Sequence, residues 1–214
     1  MNSSASSRGR AALGAAFAFT VVEILAVLGL LGLGVAVAWP PLAETIAKTE
    51  LRLATSEVAA AFYEARLYAL RHSANVAVVF AADRGGNRAI SWSLYRDGDA
   101  DGVLREDIAS GIDPLVRGGR RLEHFGARVG FGFLPGRAPT EIGDPTRRID
   151  RLTDPLRFGN SDMASFSRLG TASPGTAYIT NHRNGLMAIR IGNLSGKVTL
   201  WEYDPKIQRW RRCG

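Results

Sequence analysis

Cysteine and histidine are both scarce in this chain of 214 residues. Cys213 is the single cysteine and lies next to the C-terminus. Because a disulfide needs two cysteines, no intramolecular disulfide can form. The three histidines, His72, His124 and His182, are far apart, and none has a cysteine or carboxylate at metal-ligand spacing. The glycine-flanked segment GNLSG does not match the G-x-S-x-G nucleophile elbow. We therefore expect a protein that is not an enzyme.

Charge is missing from residues 24–43, a run of 20 residues. As a helix this run is about 30 Å long, the thickness of the hydrocarbon core of a bilayer. Arg8 and Arg10 precede it and residues 1–18 contain no acid, which predicts a single span with a cytoplasmic N-terminus. The run is longer than the apolar part of a secretory signal peptide and lacks an A-x-A-like cleavage site. A retained transmembrane helix over residues 19–43 is the better interpretation.

Charge returns at helical spacing over residues 44–72, which predicts an amphipathic continuation of the same helix. Pro40 and Pro41 are expected to kink this helix, or to lie at a local break, without ending it. The apolar stripe consists of Ile46, Ala54, Val58, Ala61, Phe62, Ala65 and Ala69, with Leu51 or Leu53 bridging its first gap. We expect this stripe to pack against the domain that follows.

The N-terminal residues resemble those of the prepilin class, which comprises type IV pilins and the pseudopilins of type II secretion. Ala18, Phe19, Thr20 and Glu23 match the family's small residue at the cleavage point, its Phe and its T-L-I-E segment, although the family prefers glycine where Ala18 stands. The resemblance implies a leader peptide over residues 1–18, removed by a prepilin peptidase between Ala18 and Phe19, and N-methylation of Phe19. Pro40 falls where many members have a helix-kinking proline.

Glu23 is the acidic residue at the N-terminal edge of the long apolar run. A carboxylate in hydrocarbon costs about 2.5–3.5 kcal/mol even on insertion scales that give low values. In a filament of such helices, the amino group of a neighbouring Phe19 is the expected partner, which would fix the axial register between subunits. The alternative is that Glu23 lies at the membrane interface and reaches the headgroups.

Beyond His72, short apolar or aromatic segments alternate with Gly, Asn, Asp and Pro clusters. Seven such segments predict strands: 76–80, 89–95, 129–133, 165–169, 176–180, 186–191 and 197–203. The last two, joined by GNLSG, predict a hairpin. Residues 105–160 are poor in apolar residues, and we expect an insertion with little regular structure. The predicted fold class is α+β and pilin-like: a long N-terminal helix packed on an antiparallel β-sheet domain over residues 73–214.

Within the prepilin class, the chain resembles the GspH/FimT-type minor pseudopilins. Ala65, Arg66, Ala69 and Arg71 match an A-R-x-x-A-x-R segment of that type. Residues 158–180 and 189–204 resemble its C-terminal sheet, and Gly192 (one residue early), Gly196, Lys197 and Val198 match its G-x-x-G-[RK]-[VI] turn. The resemblance implies that other pseudopilins and an inner-membrane assembly platform are the partners, and that the C-terminal domain is periplasmic.

An acidic motif follows the second predicted strand. Asp97, Asp99, Asp101 and Gly102 match the D-x-D-x-D-G start of a calcium loop, whose alternating carboxylates converge on one cation. Ile108 stands at the twelfth place, where a bidentate acid is needed. We expect either a calcium site that braces this loop or a solvated turn; no other cofactor is required.

The C-terminal tail KIQRWRRCG is basic in a chain whose net charge is +7. The tail has the residues of a DNA-binding segment: Lys206, Arg209, Arg211 and Arg212 for the phosphate backbone, and Trp201 and Trp210 to stack on bases. A frayed basic terminus is the more common outcome, so nucleic acid is not the partner we expect.

The sequence thus favours a minor pseudopilin of a type II secretion system, anchored in the bacterial inner membrane, that assembles into a periplasmic pseudopilus and drives protein export. The alternative is a minor pilin of a type IV pilus that binds DNA through its basic tail. A third possibility is an unprocessed single-span membrane protein.

Overall fold

The structure is a computed structural model and describes residues 20–82, 89–136, 138–159, 161–192 and 195–213. The predicted leader and cleavage point, including Ala18 and Phe19, lie outside these residues. The chain divides into two compact units, one ending at Ala43 and the other covering Glu44–Gly214. Each unit is described by itself.

Helix α1 spans Val21–His72, a length of 52 residues. Pro40 and Pro41 lie inside it, so the prediction that they do not end the helix is confirmed. The predicted kink at Pro40 stays a prediction. Val21–Leu42 is exposed throughout, and within this stretch α1 has the length and apolar composition needed to cross a membrane.

The part of α1 in the second unit buries one face. Its fully or nearly fully buried residues are Leu51, Ala54, Thr55, Val58, Ala59, Phe62, Ala65 and Ala69. These residues belong to the main hydrophobic core together with strand residues, so the predicted stripe packs on the following domain as expected. Ile46 is the exception, because it is 49% exposed and does not join the buried face. Leu51, not Leu53, fills the first gap of the stripe.

Twelve strands and one further α-helix follow α1 within the described residues. In chain order they are β1 Val76–Ala82, β2 Ile90–Arg96, α2 Arg105–Ser110, β3 Leu115–Arg121, β4 Gly130–Phe131, β5 Thr140–Glu141, β6 Asp144–Arg148, β7 Leu156–Arg157, β8 Met163–Phe166, β9 Gly175–Thr180, β10 Leu186–Ile191, β11 Val198–Asp204 and β12 Arg209–Arg212. A 3-10 helix, Leu122–Phe125, follows β3.

The strands form two main antiparallel sheets and one small one. The first sheet has the order β3-β2-β1-β8, and the second has the order β12-β11-β10-β9-β4, with β7 also paired to β9. Strands β5 and β6 pair with each other. The α+β class is therefore confirmed, and so is the hairpin of the last two predicted strands, because β10 pairs antiparallel with β11.

Aromatic rings at the centre of the core join α1 to the strands. Phe62 of α1 makes edge contacts with Phe80 of β1 and with Phe158, at ring-centroid distances of 6.2 and 5.7 Å. It also lies 6.1 Å from the ring of Phe166 on β8. Since Phe62 is fully buried, this side chain fixes the helix on the first sheet.

Residues 105–160 differ from the expected irregular insertion. They contain α2, the seven-residue strand β3, the 3-10 helix and strands β4 to β7. Strand β3 was missed because its sequence, LVRGGRR, has almost no apolar alternation and its side chains are mostly exposed. The strand predicted over residues 129–133 shortens to Gly130–Phe131.

Candidate functional site

The first candidate site is the exposed apolar part of α1. Every large side chain from Val21 to Leu42 is exposed, among them Leu30 and Val37, each at 70%. A helix that is apolar around its whole circumference requires a hydrophobic environment, which either lipid or other helices supply.

Glu23 lies in the first turn of this helix. Its backbone N–H donates to the Thr20 side-chain oxygen at 3.2 Å, and Thr20 directly precedes the helix. Thr20 thus acts as the N-cap and Glu23 occupies the third helical position, as in the T-x-x-E capping box. This local role of Glu23 was not among the expectations from the sequence, although the T-V-V-E spacing signals it. A carboxylate at this place also interacts favourably with the helix dipole.

The pairing of Glu23 with the amino group of a neighbouring Phe19 stays a prediction, because Phe19 lies outside the described residues. The capping geometry is compatible with it, since the bond to Thr20 uses the backbone N–H of Glu23. The side-chain carboxylate of Glu23 is exposed.

The second candidate site is the acidic loop that follows β2. Asp97 is only 6% exposed and accepts four hydrogen bonds. The Asn75 side chain donates to it at 2.7 Å, and the backbone N–H groups of Asp99, Ala100 and Gly102 donate at 3.2, 2.7 and 3.0 Å. Burial opposes ionisation here, but these hydrogen bonds outweigh it and lower the pKa of Asp97.

A second buried carboxylate, Asp113, closes the same loop. It is 1% exposed and accepts the backbone N–H groups of Gly98 and Leu104, both at 2.9 Å. Gly98 lies directly against the carbonyl of Ile112, where a Cβ atom would collide with that oxygen. Asp113 was not among the expected site residues, although the Asp-Pro pair that it forms with Pro114 is typical of turns.

The predicted calcium ligands do come together. One carboxylate oxygen each from Asp97, Asp99 and Asp101 lies within 4.8 Å of the others, a spacing that a single Ca²⁺ can bridge. Three effects raise the pKa of Asp101. Desolvation is the largest, followed by the hydrogen bond with Asp99 and the negative charge of Asp99. Ile108 on α2 supplies no ligand, however, and both oxygens of Asp97 already accept hydrogen bonds. Three carboxylates satisfy only part of the six to eight oxygen ligands that Ca²⁺ requires.

Calcium binding therefore stays a prediction, with an affinity on the order of 10⁻³ M, as in weak extracellular sites. Added Ca²⁺ should raise the thermal unfolding midpoint of the chain, and the double variant Asp99→Asn, Asp101→Asn should lose that rise. An equal rise with Mg²⁺, or a rise that survives in the variant, contradicts the prediction.

The basic C-terminal tail is a strand rather than a frayed end. Arg209, Arg211 and Arg212 lie on β12, which pairs with β11, and Lys206 precedes it in the turn. All four cations are exposed, and Arg211 forms an ion pair with Asp204.

The tryptophans near this tail pack against the domain. Trp210 lies 5.1 and 5.9 Å from the rings of Tyr203 and Tyr178, and its Nε1 donates to the Thr140 carbonyl at 2.6 Å. Trp201 packs against the same cluster. The rings that were expected to stack on bases thus already have protein partners, and the DNA-binding tail stays a prediction.

No protein-family model, curated protein or solved structure matches the chain.

Proposed function

We propose that the chain is an assembly subunit of a membrane-anchored filament, a minor pseudopilin of the GspH/FimT type. The observation that carries this proposal is the exposed, uncharged apolar surface of α1 from Ile24 to Leu42, preceded by Glu23 in the first turn. The helix supplies the anchor and the filament contact, and the α+β domain selects the neighbouring subunits. The proposed role is structural and not enzymatic.

The physical basis is the cost of placing Glu23 near hydrocarbon. A lone carboxylate is expensive there, whereas an ion pair with the amino group of a neighbouring subunit compensates part of that cost. Because such a pair forms at one axial offset only, it sets the register between adjacent helices. We propose a bacterial inner-membrane location, with the N-terminus cytoplasmic and the domain in the periplasm, from the positive flank formed by Arg8 and Arg10.

The first test is the mass of the N-terminal peptide, taken from membranes of cells that contain a prepilin peptidase. We expect a peptide that begins at methylated Phe19. An intact N-terminus at Met1 overturns the processing step, and with it the proposed partner of Glu23.

The second test separates processing from assembly. We expect Glu23→Gln to be processed normally but to lose co-purification with the other pseudopilins of the host, because removing one partner of a buried ion pair costs about 3–5 kcal/mol. Glu44→Gln is the matched control, since Glu44 is an exposed glutamate of the same helix that pairs with Lys48. Equal co-purification of the two variants contradicts the assembly role of Glu23.

A further inference from the structure

The second sheet carries a row of polar side chains on three neighbouring strands. Arg157 of β7 pairs with Thr176 of β9, and Thr176 pairs with Arg190 of β10. Residues that pair directly across antiparallel strands point to the same face of a sheet. Because neighbouring strands are about 4.8 Å apart, the backbones of the two arginines are about 10 Å apart, with Thr176 between them.

This row lies on the sheet face that turns away from α1. Side chains alternate along a strand, so Tyr178 of β9 shares the face of Thr176, whereas Ala177 takes the opposite face. Ala177 belongs to the main core that contains α1, and Tyr178 belongs to the second hydrophobic cluster. The polar row is therefore separated from the helix by the thickness of the sheet.

A cavity of about 310 Å³ opens beside the row, and Arg157, Thr176 and Arg190 all line it. This volume is within the range of pockets that hold small ligands. Tyr178 and Glu141 also line the cavity, and Tyr178 is only 5% exposed. Burial raises the pKa of the Tyr178 phenol, whereas the charges of Arg157 and Arg190 lower it. Both cations therefore act on the same polar group in the cavity wall.

Arg190 is half-buried, and its charge is not neutralised by an acid of the domain. Its Nη1 donates to the Ile142 carbonyl at 2.7 Å, and none of the ion pairs between described residues includes Arg190. A carbonyl is a neutral acceptor, so this bond orients the guanidinium without compensating its charge. A guanidinium has five N–H donors, and a half-buried charge gains from a counter-ion.

Arg157 is oriented by the loop that precedes it. Its Nε donates to the Asp154 carbonyl at 3.3 Å, and its Nη2 donates to the Arg151 carbonyl at 2.8 Å and to Asp150 at 3.3 Å. None of these three bonds uses Nη1. The Asp150 side chain is 75% exposed, so water screens this ion pair and its charge compensation is weak.

The charges that line the cavity favour a ligand with a single negative charge. Two cations, Arg157 and Arg190, face one carboxylate, Glu141, which pairs with Arg147 at 3.4 Å. A carboxylate carries one negative charge at neutral pH and matches the planar fork of a guanidinium. A phosphate group carries close to two negative charges and is repelled more strongly by Glu141.

We propose that this cavity binds the carboxylate group of a small ligand, held between Arg157 and Arg190 with the Thr176 hydroxyl as a third donor. The buried ring of Tyr178 offers an apolar wall to the rest of the ligand. The inference does not depend on the proposed function, since it uses only residues of the second unit and no property of the N-terminal segment.

Titration of the full-length chain in detergent micelles with isotope-labelled acetate tests this proposal. Binding is followed by the NMR line width of acetate, at an ionic strength held constant with sodium chloride. We expect saturable binding to the native sequence. Arg190→Gln should weaken it roughly tenfold or more, because a charged hydrogen-bond donor is lost. Absence of saturable binding to the native sequence overturns the proposal.

Arg151→Gln is the matched control for the loss of charge. Arg151 is an exposed arginine of the loop that orients Arg157, and its side chain does not line the cavity. The substitution removes the same charge as Arg190→Gln, so we expect the native affinity for acetate. Equal weakening by the two substitutions shows a non-specific effect of net charge and overturns the proposal.

Two further measurements test the third donor and the class of ligand. Thr176→Val removes the hydroxyl with little change in shape, and it should weaken acetate binding severalfold while circular dichroism stays unchanged. This variant also provides the test if Arg190→Gln fails to fold, and native affinity in Thr176→Val contradicts the site. Inorganic phosphate should displace acetate only at higher concentration than acetate itself requires. Tighter binding of phosphate overturns the assignment of the ligand as a carboxylate.

Discussion

At the scale of single residues, the acidic loop is organised by two buried carboxylates rather than by its exposed ones. Asp97 and Asp113 accept backbone N–H groups from both arms of the loop, whereas Asp99 and Asp101 lie at the surface. The same motif therefore contains one structural aspartate and two that repel each other.

Replacing Asp97 with Ala should destabilise the domain by about 1–3 kcal/mol, because it leaves the Asn75 amide and loop N–H groups without their acceptor. Denaturant unfolding followed by fluorescence measures this loss. Asp101→Asn is the control and should raise stability at neutral pH, since it removes a charge that Asp99 repels. A destabilisation by Asp101→Asn as large as that of Asp97→Ala contradicts this division of roles.

The pH dependence of stability follows from the lowered pKa of Asp97. Its ordinary value is 3.8, so its ionised form stabilises the folded state above that pH, and this contribution is lost as the pH falls through the lower, folded-state pKa. The difference in unfolding free energy between the native sequence and Asp97→Asn should therefore shrink below pH 3.8. A difference that stays constant from neutral to acid pH contradicts the assigned hydrogen bonding.

The spacing of aspartates located this loop correctly but could not assign its roles. The D-x-D-x-D-G pattern is the same whether an aspartate binds a cation or caps backbone N–H groups. Only the fold shows that β2 and α2 bring Asp113 beside Asp97, since the two are 16 positions apart.

At the scale of elements, the domain-side part of α1 has one buried face and one exposed face. Phe62 lies on the buried face, which packs against Phe80, Phe158 and Phe166, and Leu67 lies on the exposed face. Periodicity predicted the inner face well, because its residues recur at three and four positions. It misplaced Ile46, whose side chain is 49% exposed, because the predicted stripe was extended across the gap between residues 46 and 54.

Phe62→Ala should cost about 3–5 kcal/mol in unfolding free energy, because the cavity it leaves is surrounded by fixed rings. Leu115→Ala on β3 is the control: Leu115 is 54% exposed, and we expect a change within about 0.5 kcal/mol. Urea unfolding of both variants provides the comparison. Similar losses for the two would contradict the core position of Phe62.

At the scale of the whole molecule, the chain separates into a unit with an exposed apolar helical segment and a domain with its own core. The uncharged run of the sequence ends at Ala43, and the second unit begins at Glu44. The pairing order of the strands was beyond sequence reasoning, since strands with mostly exposed side chains, such as β3 and β12, lack apolar alternation.

A fragment of residues 44–214 should therefore fold without detergent and unfold in one cooperative transition, because its hydrophobic core is contained within it. The full chain should require detergent or membrane. Circular dichroism and sedimentation of both forms measure this difference. A fragment that aggregates without a transition would show that residues 20–43 contribute to folding.

The arginines of β3 and β12 also bear on the solubility of the domain. Each strand ends one of the two main sheets in the described part of the chain, and between them they contribute Arg117, Arg120, Arg121, Arg209, Arg211 and Arg212. Sheet edges offer unsatisfied backbone groups on which a foreign strand can add, and long cationic side chains discourage that addition. The arginines of these two border strands are therefore placed to hinder the addition of a foreign strand.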